Sequence, residues 1–123
     1  MTEIKNKKPN TFTIDAEGRT IGRVATEAAV LLAGKDSPDY ARHIAGTNKV
    51  FIVNASKVKI INNKLDSIYH KHYTGNPGGM RFEMNAEIAT KKGYSELLRL
   101  AVHGMLPDNK LKPIVMKNLT ISE

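Results

Sequence analysis

An α/β fold is predicted for this chain by three features met in order: a short alternating strand, a helix with one apolar stripe, and a continuous apolar run beyond a polar loop. Thr11 to Ile14 alternates as a strand does, and Asp15-Ala16-Glu17-Gly18 has the polar and glycine content of a turn. Thr20 stands where a helix cap is needed. In the helix that follows, Ile21, Val24, Ala25, Ala28, Leu31 and Leu32 keep the three-four spacing of a buried stripe, and Gly34 supplies a left-handed stop. From Lys35 to Asn48 the chain is polar and punctuated by Pro38 and Gly46. Val50-Phe51-Ile52-Val53 then reads as a strand buried on both faces. Strand, helix and buried strand make a βαβ unit, with parallel strands and a right-handed crossover expected.

Further along, Val58 to Ile61 and Ile68 to Tyr73 are strand-like. Between them lies Asn62-Asn63-Lys64, whose residues tolerate the positive φ of a tight turn, so a hairpin or protruding arm is expected. Glu83 to Lys92 predicts a helix ending at Gly93, Ser95 to Leu106 a second one stopped before Pro107, and Leu119 to Ile121 a last strand. At 123 residues, with no internal repeat and no long linker, the chain suits one domain over residues 11–123. Residues 1–10, with Lys5, Lys7, Lys8 and Pro9, read as a flexible basic arm. The arm lacks the apolar core of a secretory signal, and no apolar run approaches the roughly 18 residues of a bilayer span, so a cytoplasmic protein with no membrane partner is expected.

Nineteen Lys and Arg against twelve Asp and Glu leave a net charge of +7, which draws a protein toward polyanions and makes nucleic acid the first partner to consider. The absence of cysteine excludes disulfides, thiolate zinc sites and thiol nucleophiles, and fits a reducing compartment. The basic residues cluster outside the predicted core: Lys57, Lys59, Lys64 and Lys71 in the arm, then Lys110, Lys112 and Lys117 near the end. Within the arm, Tyr69-His70-Lys71-His72-Tyr73 interleaves rings, imidazoles and a cation, a mixture that can stack on bases and bind backbone oxygens. The plainer alternative is a solvated strand.

Thr74-Gly75-Asn76-Pro77-Gly78-Gly79 follows, where missing side chains let the main chain approach another surface and offer its N–H groups to an anion. A simple chain reversal would have the same composition. The loop is similar to the backbone clamp of KH domains, but that clamp joins two helices and here a strand-like segment precedes it. His70 and His72 share one face of a strand, yet no third ligand is evident, so no metal is assigned. His43 and His103 stand alone. Gly34-Lys35 fails as a phosphate-binding loop because Ala29 replaces its first glycine and Asp36 follows the lysine. There is no Gly-x-Ser-x-Gly elbow and no His-Glu-x-x-His helix, so no catalytic residue, cofactor or small-molecule substrate is assigned.

Several segments together carry a resemblance: the run from Ile14 to Thr26, Asn54-Ala55, Asn63-Lys64, the Thr74 to Gly79 loop, and Gly104-Met105-Leu106-Pro107. In this order and spacing, from about Phe12 to Ile121, the chain resembles the bacterial large-subunit ribosomal protein L-thirteen family. The resemblance implies a three-layer α/β/α domain around a mainly parallel four-stranded sheet. It also implies direct binding to large-subunit ribosomal RNA, neighbouring ribosomal proteins as partners, an early part in subunit assembly, and no catalysis.

Carried over by position, it marks His70, Lys71, His72, Thr74, Gly75, Gly78 and Gly79, with Gly104 and Met105, as RNA-facing. Lys64, Arg19 and Arg23 rank next. Met105 and Leu106 also suit a helix-end core. After Pro107 the family commonly has Gly-Arg where this chain has Lys112-Pro113, and many members extend beyond Glu123, so Lys110, Lys112 and Lys117 are expected to supply replacement charge. Two other functions fit the same residues: a small nucleotide- or metal-dependent enzyme using the histidine pair and glycine loop, and a regulator binding mRNA away from the ribosome.

Overall fold

The structure is a computed structural model that describes residues 9–61 and 64–123. The basic arm expected over residues 1–10 therefore falls almost wholly outside the described residues, as do Asn62 and Asn63 of the expected turn. The elements run β1 (Thr11–Asp15), α1 (Ile21–Ala33), β2 (Lys49–Val53), a single 3₁₀ turn (Ala55–Lys57), α2 (Lys64–Ser67) and β3 (Tyr69–Tyr73). They continue with β4 (Met80–Met84), α3 (Asn85–Lys92), α4 (Tyr94–Met105), α5 (Lys112–Met116) and β5 (Leu119–Ile121). Among the described residues, no helix is long and apolar enough to cross a membrane.

The βαβ unit forms as expected, with β1 parallel to β2 and Ile14 opposite Ile52. β5 adds a third parallel strand on the other side of β2, in the order β1-β2-β5. The helix between the first two strands begins after Thr20, whose backbone is extended but whose side chain makes no capping bond. It ends at Gly34, where φ of +80° lets the glycine N–H donate to the Leu31 carbonyl at 3.1 Å. Val24, Ala25, Ala28, Ala29 and Leu32 are its buried side, and the alanines let α4 lie close against it. Leu98 and Val102 of α4 meet Val24, Leu32, Val50 and Ile52 in one core. Removing each large side chain of this set from water stabilises the fold by roughly 1.5–3 kcal/mol.

β2 is not buried on both faces: Val50 and Ile52 are fully buried, whereas Phe51 is 36% exposed. The reason is that α1 and α4 pack together on one side of the sheet, leaving Thr11, Thr13, Phe51 and Thr120 on a side that no described element covers. The described residues thus give a mixed α/β fold with three parallel strands and helices over one face. Val58 to Ile61 does not form a strand. It runs beside the turn before α1, with Lys59 N–H donating to the Arg19 carbonyl at 2.9 Å and one isolated parallel bridge between Thr20 and Lys59.

The hairpin is also re-partnered: β3 pairs antiparallel with β4 across the Thr74 to Gly79 loop, and α2 begins at Lys64, the last residue of the expected tight turn. Consequently Glu83 lies in a strand, and the helix begins two residues later at Asn85. The alternation of Met80, Phe82 and Met84 with Arg81 and Glu83 is the signal for that strand. α5 was not expected. Its start is held by Asn109, whose Oδ1 accepts from the N–H groups of Leu111 and Lys112, both at 3.1 Å, and Pro113 sits in its first turn.

At the carboxyl ends of β1 and β2 the turns are tied by Asp15. Its Oδ1 accepts from Asn54 Nδ2 at 3.0 Å and from the Glu17 N–H at 2.9 Å. The Asn54 amide first, then the Glu17 N–H, hold the carboxyl below the usual aspartate range. A depressed carboxyl contributes stability that is present above its ordinary titration range and is lost as pH falls through the lower folded value. We therefore expect Asp15→Asn to flatten the acid limb of a stability-against-pH curve measured by urea unfolding. Parallel limbs for the two proteins would rule this out.

Candidate nucleic-acid interface

The hairpin stands at the end of the molecule where α1 begins. Its antiparallel register sets Tyr69 opposite Met84, Lys71 opposite Phe82 and Tyr73 opposite Met80 on one face, with His70, His72, Arg81 and Glu83 on the other. Lys71 is exposed, as are Arg81 and His72, and the His72 imidazole lies 3.5 Å from Glu83. His70 is half-buried. Its Nε2 lies 2.7 Å from Asn85 Oδ1, while Asn85 Nδ2 donates to the Lys64 carbonyl at 3.2 Å. That second bond fixes which way the amide points, so Oδ1 is the acceptor and the His70 ring carries its proton on Nε2. One asparagine thereby locks α2, β3 and α3 together, and sets the exposed Lys64 beside the hairpin.

Local geometry accounts for the glycine loop. Gly75 and Gly78 have φ of +85° and +73°, and a Cβ on either would meet nothing within 4 Å. A Cβ on Gly79 would strike the Thr74 hydroxyl and come within 3.0 Å of the Asn76 carbonyl oxygen. The turn itself requires these residues, while the outer surface at Gly75 and Gly78 is left free of side chains.

Below His70 lies a pocket of about 210 Å³ with largely apolar walls, including Ile21, Ile60, Ile61, Leu65 and Leu97. That is smaller than the roughly 300 Å³ at which small-molecule sites usually begin.

The other expected positions do not all join this end. Arg19 is paired with Glu27 at 2.7 Å, while Arg23 is exposed on the first turn of α1. Gly104 is exposed at the end of α4, and Met105 is 45% exposed with its sulfur 3.5 Å from the Thr26 hydroxyl. Lys110 and Lys117 flank α5, near where Leu106 and Pro107 pack beside Ala33 at the far end of α1. The thirteen residues of α1 put Lys110 and Lys117 about 20 Å from the hairpin end, whereas Met105 lies beside Thr26, midway along that helix. Lys112 differs from its neighbours: it is buried, with Nζ 2.6 Å from Asp108 Oδ1, and it holds the Asp108 carboxyl below its usual range. Its charge is spent within the chain. By contrast Arg23, Lys64, Lys71, Lys110 and Lys117 form no ion pair among the described residues. Arg81 and Phe82 were missed in the sequence because Met80 to Phe82 was assigned to no element and the next helix was begun at Glu83.

A family model described as ribosomal protein L13 matches residues 9–123. The large ribosomal subunit protein uL13 of Nitratiruptor sp. is 45% identical over 108 residues, covering 88% of this chain and 76% of that protein. The protein of the same name from Clostridioides difficile is 40% identical over 110 residues, covering 89% and 76%. That of Thermoanaerobacter sp. is 37% identical over 122 residues, covering 98% and 84%.

Proposed function

The chain belongs to the ribosomal protein L13 family, and from that membership we propose that it is a structural, non-catalytic constituent of the large ribosomal subunit that holds ribosomal RNA. The observation that carries this reading is the match over residues 9–123, joined to cations that no carboxylate of the described chain neutralises. In this reading residues 11–123 act as one ribosomal-protein domain in the cytoplasm, met by neighbouring large-subunit proteins and incorporated early in assembly. The arm over residues 1–10 adds Lys5, Lys7 and Lys8 to the charge available for RNA.

The two ends of α1 give the contacts a division. Arg19, Arg23, Lys64, His70, Lys71, His72, Thr74, Gly75, Gly78 and Gly79 serve one RNA segment and Lys110 and Lys117 another, with the rigid core spacing them and Gly104 and Met105 lying between, beside Thr26. Phosphate contacts of this kind set position before they read sequence. The fuller three-layer architecture, with a fourth parallel strand, belongs to the same proposal. It is supported by the parallel bridge between Thr20 and Lys59 and would need a cover on the open sheet face.

Binding of the purified chain to protein-free large-subunit RNA across a range of salt concentrations tests the assignment. Lys64→Ala and Lys71→Ala are each expected to weaken binding and to reduce the salt slope by roughly one. Slopes unchanged in both variants would remove this end of the molecule from the interface.

A further inference from the structure

We propose that the exposed face of the β3–β4 hairpin is a stacking platform for unpaired RNA bases. This rests on the ribosomal reading above and adds to it a mode of contact that charge does not supply. Tyr69 is 51% exposed, Tyr73 64%, Met80 50% and Phe82 54%, and the register puts all four on the same face as Lys71. Large apolar side chains grouped this way on a protruding two-stranded element mark a surface meant to be covered. No described element of the chain covers it.

The charge on the face selects the occupant. Lys71 is its charged side chain, set opposite Phe82, and the hairpin's carboxylate, Glu83, is on the other face with Arg81 and the two histidines. Closing an apolar protein surface over these rings would bury the Lys71 ammonium without a carboxylate from this face, leaving a desolvated charge uncompensated. RNA avoids that cost, because its bases cover rings while its phosphates meet the cation. A five-residue strand is about 17 Å long, enough for two or three bases, the number that RNA-binding sheets stack on exposed aromatic residues. The platform also adjoins the side-chain-free surface at Gly75 and Gly78, where a ribose-phosphate backbone could pass closely.

The test uses the purified full chain and protein-free large-subunit RNA. Phe82→Ala and Tyr73→Ala are expected to weaken binding roughly tenfold each with the salt slope unchanged, because stacking releases no counterions. Phe82→Leu keeps apolar bulk in the strand but loses the ring. It is expected to weaken binding as well, with thermal unfolding matching the parent. If all three variants bind within about twofold of the parent while Lys71→Ala still lowers the slope, the platform is overturned and the RNA reading stands. If Lys71→Ala also has no effect, the hairpin does not face RNA and both assignments to it fail. Normal RNA affinity with loss of a neighbouring protein from reconstituted subunits would assign the face to protein instead and equally overturn the platform.

Discussion

Replacing Leu98 by alanine is expected to destabilise the isolated chain by about 2–5 kcal/mol and to lower its melting temperature by roughly 10 °C or more. Leu98 is fully buried where α4 meets α1 and the sheet, in the core with Leu32, Val50 and Ile52. Truncation removes the transfer free energy of its methyl and methylene groups and leaves a cavity that helices on one side of a sheet can only partly close. Ile114→Ala is the control, since that side chain is 51% exposed and its loss is expected to change stability by about 0.5 kcal/mol or less. Urea unfolding reads both. A Leu98→Ala cost below about 1 kcal/mol would mean that the α1–α4 core is not the centre of stability.

Gly46→Ala is expected to cost about 1–3 kcal/mol through crowding rather than backbone conformation. A Cβ at position 46 would collide with the Leu32 carbonyl oxygen and reach within 3.2 Å of the Ala33 carbonyl carbon, both main-chain atoms in the last turn of α1. They cannot move away cheaply. The Gly46 carbonyl accepts from Asn118 Nδ2 at 3.2 Å, and the nearby Asn48 Nδ2 donates to the Leu31 carbonyl at 2.9 Å, so the crossover loop is pinned from both sides. Differential scanning calorimetry would show a lower and broader transition. A melting temperature equal to the parent's would show that the loop can lift from the helix end without loss.

The parts of this fold legible in the sequence are those whose signal is local and repeated. The stripe from Ile21 to Leu32 with Gly34 behind it marks α1, and the apolar run at Val50 marks β2, because each pattern reflects packing along one element. Partner choice is not local. Nothing within Ile68 to Tyr73 says that its mate is Met80 to Met84 rather than Val58 to Ile61, and Glu83 drew the next helix two residues too early. An apolar run likewise cannot say how many of its faces are covered, which is why Phe51 was expected inside. At the interface, residue type located the cations and the glycine loop. It could not distinguish Lys71, which faces solvent, from Lys112, which is turned onto Asp108. The Asn85 amide that orients His70 was invisible for the same reason: its two partners, His70 and the Lys64 carbonyl, are brought to it only by folding.

The one-sided covering of the sheet also protects the fold against mispairing. Because Val50 and Ile52 alternate with Lys49 and Phe51 across a covered and an uncovered side, sliding β2 by one residue would turn the lysine inward and both aliphatic side chains out to water. An incorrectly aligned strand is therefore disfavoured, and tolerance to polar substitution along β2 should follow the same two-residue beat.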